Sequence, residues 1–253
     1  MLDRIGDLLT DLGRSLSDRR RAHDGRAPSS FGESADRFAH ETLTRELGRI
    51  APGVPVVSEE DAPSQTLRRP ERYLLIDPID GTASYCGGFA GYVTQLALME
   101  GGEPVLGAIY APATEELFLA ERSSGATRNG TNLALESQPA RKRLIDNYPE
   151  PRATASAMVD RLGCDGYVES GSLGLKICRI ADRTAEIFFK DVILRDWDIA
   201  PAALVLKEAG GTLTGIDGKD FPYHGDFVKP GVIAAATERL ASETRNALLE
   251  TAL

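Results

Sequence analysis

A short acidic segment, residues 77–82, holds the side chains of this chain that are best suited to catalysis or metal binding. It reads Asp-Pro-Ile-Asp-Gly-Thr and follows the apolar run 73–76, which predicts a buried strand. Because Pro78 has no N–H for a sheet ladder and fixes its own φ, we expect the strand to end there, with two carboxylates and the Ile79 carbonyl converging. Such oxygens suit a hard divalent cation, and the backbone opened by Gly81 suits a phosphate. The segment therefore predicts a shared metal and phosphate site.

Two further acidic groups stand at predicted element boundaries. Residues 58–61, Ser-Glu-Glu-Asp, follow the apolar stretch 54–57, and Trp197-Asp198 precedes a predicted helix over 199–209. Each group also has an ordinary structural interpretation, since Asp-Pro-x-Asp-Gly is a common turn composition and Asp198 stands near a helix N-cap. Acidic groups at three such boundaries nevertheless favour one common site over unrelated surface charges.

The three acidic groups resemble, in order and in separation, the three signatures of the inositol monophosphatase superfamily, the magnesium-dependent and lithium-sensitive phosphatases. The resemblance covers roughly residues 36–237. Within the superfamily, residues 171–201 and the glycine-rich stretches after them look most like the 3'(2'),5'-bisphosphate nucleotidase branch.

The resemblance implies a role for each of several residues. It implies metal ligands for two or three Mg²⁺ ions at Glu59, Asp77, Asp80, Asp198 and the carbonyl oxygen of Ile79. It implies that the catalytic residues are Asp36 and Thr82, which together would activate the attacking water. It implies substrate contacts at Gly81, Thr82, Gly171, Ser172 and Lys176. For Lys176, the structural alternative is an exposed lysine on a predicted helix.

Asp36 is the assignment at which the sequence departs from the family pattern. The family usually has Ser-Pro-Val-Thr-x-x-Asp, whereas residues 30–36 read Ser-Phe-Gly-Glu-Ser-Ala-Asp, so that Phe31 replaces Pro and Glu33 replaces Thr. Asp36 also begins a helix-like stretch, and its structural alternative is a favourable charge at a helix N-terminus. In that case Glu33 is the candidate compensating carboxylate. The altered segment is compatible with an unusual substrate or a slower enzyme.

Alternating strand-like and helix-like segments predict an α/β protein with a globular core. The resemblance implies a layered α-β-α-β-α sandwich of the inositol monophosphatase and fructose-1,6-bisphosphatase type. Strand-like runs at 92–99, 105–110 and 117–120 predict an antiparallel meander.

We expect two lobes, joined within the Arg-, Pro- and Asn-rich stretch 136–153. Residues 1–138 would form an N-terminal α+β lobe that carries most of the metal ligands. Residues 139–253 would form a C-terminal α/β lobe that carries Asp198 and the substrate-facing residues.

The N-terminal residues show helical apolar spacing from Leu2 to Leu16, which predicts an amphipathic packing helix rather than a signal peptide. The arginines at 19–21 and residues 23–30 predict a polar loop after this helix. Because no apolar run approaches membrane-spanning length, we expect no membrane partner.

Charge and cysteine content narrow the expected partners and compartment. The net charge of −9 argues against binding a nucleic-acid polymer. We expect a small phosphorylated substrate instead, because bound Mg²⁺ would make the local charge of the site positive. The chain has 3 cysteines without metal-ligand spacing, which favours a reducing cytoplasm. Cys86 lies near the predicted site, and a packing thiol is favoured there over a nucleophile. A second copy of this chain, forming a homodimer, remains an open alternative as a partner.

The sequence thus predicts a Mg²⁺-dependent phosphomonoesterase that hydrolyses a small phosphorylated metabolite. The favoured activity is that of a 3'(2'),5'-bisphosphate nucleotidase acting on 3'-phosphoadenosine 5'-phosphate. One alternative is an inositol or sugar monophosphate phosphatase, and a second is a weakly catalytic nucleotide-binding relative.

Overall fold

The computed structural model describes residues 1–23, 29–66 and 68–251. Its helices are α1 (Leu2–Arg21), α2 (Ser29–Ile50), α3 (Thr82–Gly87), α4 (Thr154–Leu162), α5 (Leu173–Ala181), α6 (Asp196–Glu208) and α7 (Glu238–Thr251), with a 3-10 helix at Ala62–Ser64. Its strands are β1 (Val56–Ser58), β2 (Arg72–Asp80), β3 (Val93–Glu100), β4 (Glu103–Ala111), β5 (Glu116–Glu121), β6 (Gly125–Arg128), β7 (Thr131–Leu133), β8 (Arg143–Asp146), β9 (Gly166–Glu169), β10 (Ile187–Lys190), β11 (Leu194–Arg195), β12 (Thr212–Gly215), β13 (Val228–Lys229) and β14 (Val232–Ala235).

The strands form two main sheets. A seven-stranded sheet keeps sequence order from β1 to β7 and is antiparallel except for the parallel pair β1 and β2. The predicted meander is therefore confirmed. A five-stranded mixed sheet has the order β12-β14-β10-β8-β9, and β11 pairs with β13 separately.

Helices cover both sheets and separate them. The helices α1 and α2 pack on one face of the first sheet, α5 and α6 lie between the two sheets, and α4 and α7 pack on the outer face of the second. Successive side chains of β2 point to opposite faces of the first sheet, so that each face packs on its own helix layer. Leu74 and Ile76 belong to the core beneath α1 and α2, whereas Tyr73 and Leu75 belong to the core that includes α6. The predicted α-β-α-β-α sandwich is confirmed.

The first helix is longer than the sequence predicted. Its apolar stripe is buried as expected, but α1 continues through Arg21 and places the three arginines in its last turn, so the prediction of a loop was wrong for residues 19–21. Basic side chains there suit the negative end of the helix dipole, and the Arg19 guanidinium also lies 3.7 Å from the centre of the Phe38 ring. Of the rest of the predicted loop, His23 lies in a bend, and residues 24–28 lie outside the described residues. The prediction was also wrong for residues 29 and 30, which already belong to α2.

The stretch proposed as the joint is partly a strand. Residues 143–146 within it form β8 of the second sheet. The two lobes, 1–138 and 139–253, stay a prediction, and one apolar core includes side chains from both stretches, such as Tyr73 and Ile187. None of the helices in the described ranges combines the length and apolar character needed to cross a bilayer.

Candidate metal and phosphate site

Strand β2 does not end at Pro78, as the sequence predicted, but continues to Asp80 through a β-bulge. Asp77 pairs with Gln95 and Asp80 pairs with Val93, so three steps along β2 match two steps along β3. In a regular strand, residues three apart point to opposite faces, and the one extra residue restores Asp77 and Asp80 to the same face. The bulge also accommodates the missing N–H of Pro78. It is the local reason why both carboxylates point toward α5 and α6.

Asp80 is held by donors from a neighbouring strand and from the start of α5. Its Oδ2 atom accepts hydrogen bonds from Ser172 Oγ at 2.5 Å, Gly174 N at 2.9 Å and Gln95 Nε2 at 3.3 Å. Ser172 is also the N-cap of α5, and its hydroxyl oxygen accepts from Leu175 N at 2.9 Å. The cap of α5 therefore fixes the orientation of Asp80.

Asp198 contacts the start of α6 and also lies near the other acids of the site. Helix α6 begins at Asp196 with Arg195 as its N-cap, so Asp198 stands in the first turn rather than at the cap position. Its Oδ2 atom accepts the Arg195 N–H at 2.7 Å, so that a carboxylate in the first turn satisfies the N–H of the N-cap residue. The carboxylate is nevertheless close enough to Asp80 and Glu59 for their charges to raise its pKa.

The carboxylates of the site share an excess of negative charge. Burial, followed by the charges of Glu59, Asp80 and Asp198, raises the pKa of Asp77 well above its ordinary value. Burial, followed by the charges of Asp80 and Glu60, also raises the pKa of Glu59, although Glu59 stays exposed to solvent on one side. Burial likewise raises the pKa values of Asp80 and Asp198.

This donor set suits a hard cation. Asp77 Oδ1 is buried and accepts no hydrogen bond from an amide, hydroxyl or basic group of the described residues. The neighbours of Asp77 are acids rather than bases, and its side chain bonds to that of Glu59 only when one of the two carboxyls holds a proton. An unpaired buried carboxylate oxygen beside like charges is stabilised by a bound cation. As the side chains stand, no three carboxylate, imidazole or thiol groups in the described ranges already enclose a point for a metal ion.

The turn after β2 is shaped by glycine. Gly81 has φ 92°, a left-handed conformation, and a Cβ atom there would lie 2.9 Å from Gly91 O. Thr82 then begins α3, and its hydroxyl donates to Ile79 O at 3.0 Å. The carbonyl predicted as a metal ligand and the hydroxyl predicted as catalytic are therefore direct neighbours.

Asp36 lies inside a helix rather than at its start. Helix α2 begins at Ser29, so the interpretation of Asp36 as a charge in the first turn of a helix was wrong. The segment that carries Phe31 in place of proline is itself helical, and the Phe31 ring stacks on Tyr85 with centroids 5.4 Å apart. Glu33, on the same helix, is exposed.

The environment of Asp36 perturbs its proton affinity. Burial, followed by the charges of Glu60 and Glu59, raises its pKa to about 7, and a hydrogen bond with Thr82 opposes the shift. The Thr82 hydroxyl has one hydrogen, which it gives either to Ile79 O or to Asp36. A cation held at Ile79 O would leave that hydrogen for Asp36.

The segment before α5 holds the remaining predicted site residues and packs against Gly91, shortly before β3. Ser172 N donates to Gly91 O at 2.7 Å, and a Cβ atom on Gly171 would lie 2.0 Å from the same oxygen. Lys176 is fully buried, so its interpretation as an exposed lysine was wrong. Its ammonium donates to Gly171 O and Ser172 O, and burial lowers its pKa to about 8 against the opposing charge of Asp80. Lys176 therefore holds the backbone of Gly171 and Ser172 in place through their carbonyl oxygens.

Sequence reasoning missed Gln95 and a buried ion cluster. Gln95 is buried among the carboxylates, and the one available signal was a polar residue inside the apolar run 92–99. Asp196, next to the recognised Trp197-Asp198 pair, is buried with Arg69 Nη1 2.5 Å and Lys229 Nζ 3.6 Å from its carboxylate oxygens. This cluster anchors the start of α6, and no local sequence pattern marks Arg69 as its member.

Cys86 does not have the environment of a nucleophile. Burial, followed by the nearby charge of Asp36, raises the pKa of its thiol, whereas a reactive cysteine needs a lowered value. Its sulfur packs close to Gly32, where a Cβ atom would lie 3.0 Å away. These contacts agree with the predicted packing role.

The sequence is similar to one protein family and to several named proteins. The profile described as "Inositol monophosphatase family" matches residues 5–252. "Nus factor SuhB" of Xylella fastidiosa is 31% identical over 205 residues, 78% of this chain and 73% of that protein. "3'(2'),5'-bisphosphate nucleotidase CysQ" of Salmonella typhimurium is 27% identical over 245 residues, 91% of this chain and 98% of that protein.

A solved structure extends the similarity to the whole fold. The crystal structure of extragenic suppressor protein SuhB from Bartonella henselae superposes with a TM-score of 0.79 at 26% identity, covering 97% of this chain and 98% of that one. The profile match spans nearly the whole sequence, and one of the relatives is named as a bisphosphate nucleotidase. The chain therefore belongs to the inositol monophosphatase family and is a phosphatase.

Proposed function

We propose that this phosphatase is a Mg²⁺-dependent 3'(2'),5'-bisphosphate nucleotidase that acts on 3'-phosphoadenosine 5'-phosphate. The observation that carries the metal-dependent part is the buried, unpaired Asp77 Oδ1 among like-charged carboxylates beside the Gly81 turn. The nucleotide part rests on residues 171–201 and on the similarity to a bisphosphate nucleotidase over 98% of that relative's length.

The proposed ligands follow from the donor chemistry of the site. Two or three Mg²⁺ ions would be held by Glu59, Asp77, Asp80, Asp198 and the carbonyl oxygen of Ile79. When bound, Mg²⁺ supplies positive charge for the phosphoryl oxygens and lowers the pKa of a bound water. The donors on Asp80 Oδ2 keep that carboxylate in a fixed orientation, which limits the reorganisation needed on binding.

The chain's own catalytic contribution is proton transfer and orientation. Asp36 would accept the Thr82 hydroxyl hydrogen, and the Thr82 oxygen would then accept a hydrogen bond from the attacking water. In the metal-free protein, burial and the charges of Glu60 and Glu59 raise the pKa of Asp36 to about 7. Mg²⁺ held by Glu59 would oppose one of these charges and lower that pKa, which favours the ionised Asp36 that can accept a hydrogen. The amides at Gly81 and Thr82 would hold the phosphate oxygens in line with that water.

Substrate contacts would come from the Gly171-Ser172 backbone, which packs against Gly91, the residue that also lies close to Gly81. Lys176 would act through this backbone, since its ammonium is already bonded to two of its carbonyl oxygens. These residues grip the phosphate and its immediate surroundings, so an inositol or sugar monophosphate remains the alternative substrate. A weakly catalytic nucleotide-binding relative is the second alternative, and the placement of Asp36 beside Thr82 argues for the active enzyme.

A phosphate-release panel tests the proposal. The purified protein is assayed with 3'-phosphoadenosine 5'-phosphate, AMP, inositol 1-phosphate and fructose 1,6-bisphosphate, each with Mg²⁺ and with a chelator. We expect the highest kcat/KM for the nucleotide bisphosphate and no turnover in chelator. Retained activity in chelator would remove the metal from the proposal, and a higher kcat/KM for inositol 1-phosphate would replace the substrate.

A further inference from the structure

A single side-chain amide stands between the carboxylates of β2 and the first turn of α6. Gln95 Nε2 lies 3.1 Å from Trp197 O, 3.3 Å from Asp80 Oδ2, and 3.5 Å from both Asp77 Oδ2 and Asp198 O. Gln95 is fully buried, so water does not compete for these contacts. Four oxygens therefore surround a group with two hydrogens.

The orientation of this amide is determined by its neighbours. Its nitrogen must face the four oxygens, because turning the amide over would place Gln95 Oε1 against two carboxylates and two carbonyls. On the other side, helix α5 comes so close that a Cβ atom on Gly174 would lie 2.1 Å from Gln95 Oε1. Glycine at position 174 thus leaves room for the Gln95 amide, and the backbone of α5 blocks any movement of the amide away from the four oxygens.

We infer that Gln95 is a positioning residue of the metal site, whose amide sets the separation between the carboxylates of Asp77 and Asp80 and the backbone that carries Asp198. This inference rests on the proposed function, since it assumes that these carboxylates hold Mg²⁺. A neutral donor suits the position because it binds the carboxylates without neutralising them. A lysine or arginine there would supply the charge that the cation must supply, and a glutamate would add repulsion.

The test compares Gln95→Leu with a neighbouring substitution on the same strand. Leucine keeps the approximate volume and removes both hydrogens. The control is Thr94→Val, because Thr94 is equally buried and alternation along the strand directs it to the opposite face of the sheet. Mn²⁺ is titrated into each metal-free protein, and free Mn²⁺ is measured by EPR. We expect Gln95→Leu to weaken Mn²⁺ binding by roughly 10-fold or more, the scale of groups that orient metal ligands, and Thr94→Val to leave it unchanged.

Activity distinguishes positioning from general damage to the fold. For Gln95→Leu, the Mg²⁺ concentration at half-maximal activity should rise by a similar factor, while kcat at saturating Mg²⁺ recovers most of its wild-type value. Gln95→Asn keeps the donor on a shorter stem, so it should fall between wild type and Gln95→Leu, and it provides the measurement if the leucine variant does not fold. Unchanged Mn²⁺ affinity in either Gln95 variant would overturn the inference. Failure of the wild-type protein to bind Mn²⁺ would instead overturn the proposed metal-dependent function.

Discussion

At the scale of single residues, the site places its acids in unlike surroundings. Asp80 is held by three donors on one oxygen, Asp77 has a buried oxygen without a partner, and Asp36 lies outside the main group beside Thr82. A carboxylate rich in donors is a stable ligand, whereas one with a pKa near neutrality can exchange a proton. These surroundings support the proposed division of roles between the metal ligands and Asp36.

Asp36→Asn tests that division. If Asp36 accepts the Thr82 hydrogen, the substitution should lower kcat by roughly 10²-fold or more, the usual scale of general-base assistance, with little change in Mg²⁺ affinity. Glu33→Gln is the matched control on the same helix. Because Glu33 is exposed, its substitution should leave kcat near the wild-type value. The measurement is kcat at saturating Mg²⁺ for both variants. A wild-type kcat in Asp36→Asn would remove Asp36 from the catalytic residues, and a large loss in Glu33→Gln would make Glu33 the compensating acid.

Lys176→Met separates a supporting role from direct substrate contact. Methionine keeps the buried volume but removes the donors to Gly171 O and Ser172 O, so this segment should lose its fixed conformation. We expect kcat/KM to fall by roughly 10-fold or more for AMP and for 3'-phosphoadenosine 5'-phosphate alike, since a charged hydrogen bond contributes at least this much. The control is Lys219→Met, at an exposed lysine. A loss confined to the bisphosphate would show that the ammonium contacts the second phosphate.

At the scale of elements, the sequence predicted which segments matter but not how they meet. Strand β2, the meander and the acid near the start of α6 could be read from local patterns, because apolar runs and caps are local signals. The bulge was not predictable, because it is a property of the register between Asp77 and Gln95 rather than of β2 alone. The buried state of Lys176 was missed for a related reason, since neighbouring elements cover it.

The turn between β2 and α3 allows an element-scale test. Gly81→Ala imposes a left-handed conformation on alanine and a 2.9 Å contact with Gly91 O, whereas Gly53→Ala imposes a similar conformation, φ 80°, with nothing within 4 Å. We expect Gly53→Ala to cost about 1 kcal/mol of unfolding free energy and Gly81→Ala to cost more, about 2–4 kcal/mol, because strain and overpacking add. Urea denaturation measures both, and phosphate release should be impaired only in Gly81→Ala. Equal losses of unfolding free energy in the two variants would mean that the backbone near Gly91 shifts to accommodate the added Cβ atom without measurable cost.

At the scale of the whole molecule, the site lies between the first sheet and the helix layer that separates the two sheets. Asp77 and Asp80 come from the first sheet, Asp198 comes from the middle layer, and α5 and α6 pack between the two sheets. Burying several acids at this junction has a cost in the absence of a cation. The stability of the entire fold should therefore depend on the charge state of the site.

The pH dependence of stability follows from the direction of these shifts. The pKa of Asp36 rises from 3.8 to about 7 on folding, and those of Glu59, Asp77, Asp80 and Asp198 also rise. A carboxyl with a raised pKa holds its proton in the folded state at pH values where the unfolded chain has released it. Its contribution to stability is therefore fully present at low pH and is lost as the pH rises through the folded pKa.

We accordingly expect the thermal midpoint of the metal-free protein, measured in chelator, to fall between about pH 4 and pH 7, because over this range the unfolded chain has lost protons that the folded chain still holds at Asp36. Asp36→Asn should reduce this fall, since it removes the group that titrates near 7. Saturating Mg²⁺ should also reduce it, because a bound cation stabilises the ionised carboxylates. Circular dichroism melts at several pH values, with chelator or with Mg²⁺, measure both effects. A midpoint that rises over this range in chelator would show that the ion pairs elsewhere in the fold outweigh the acids of the site.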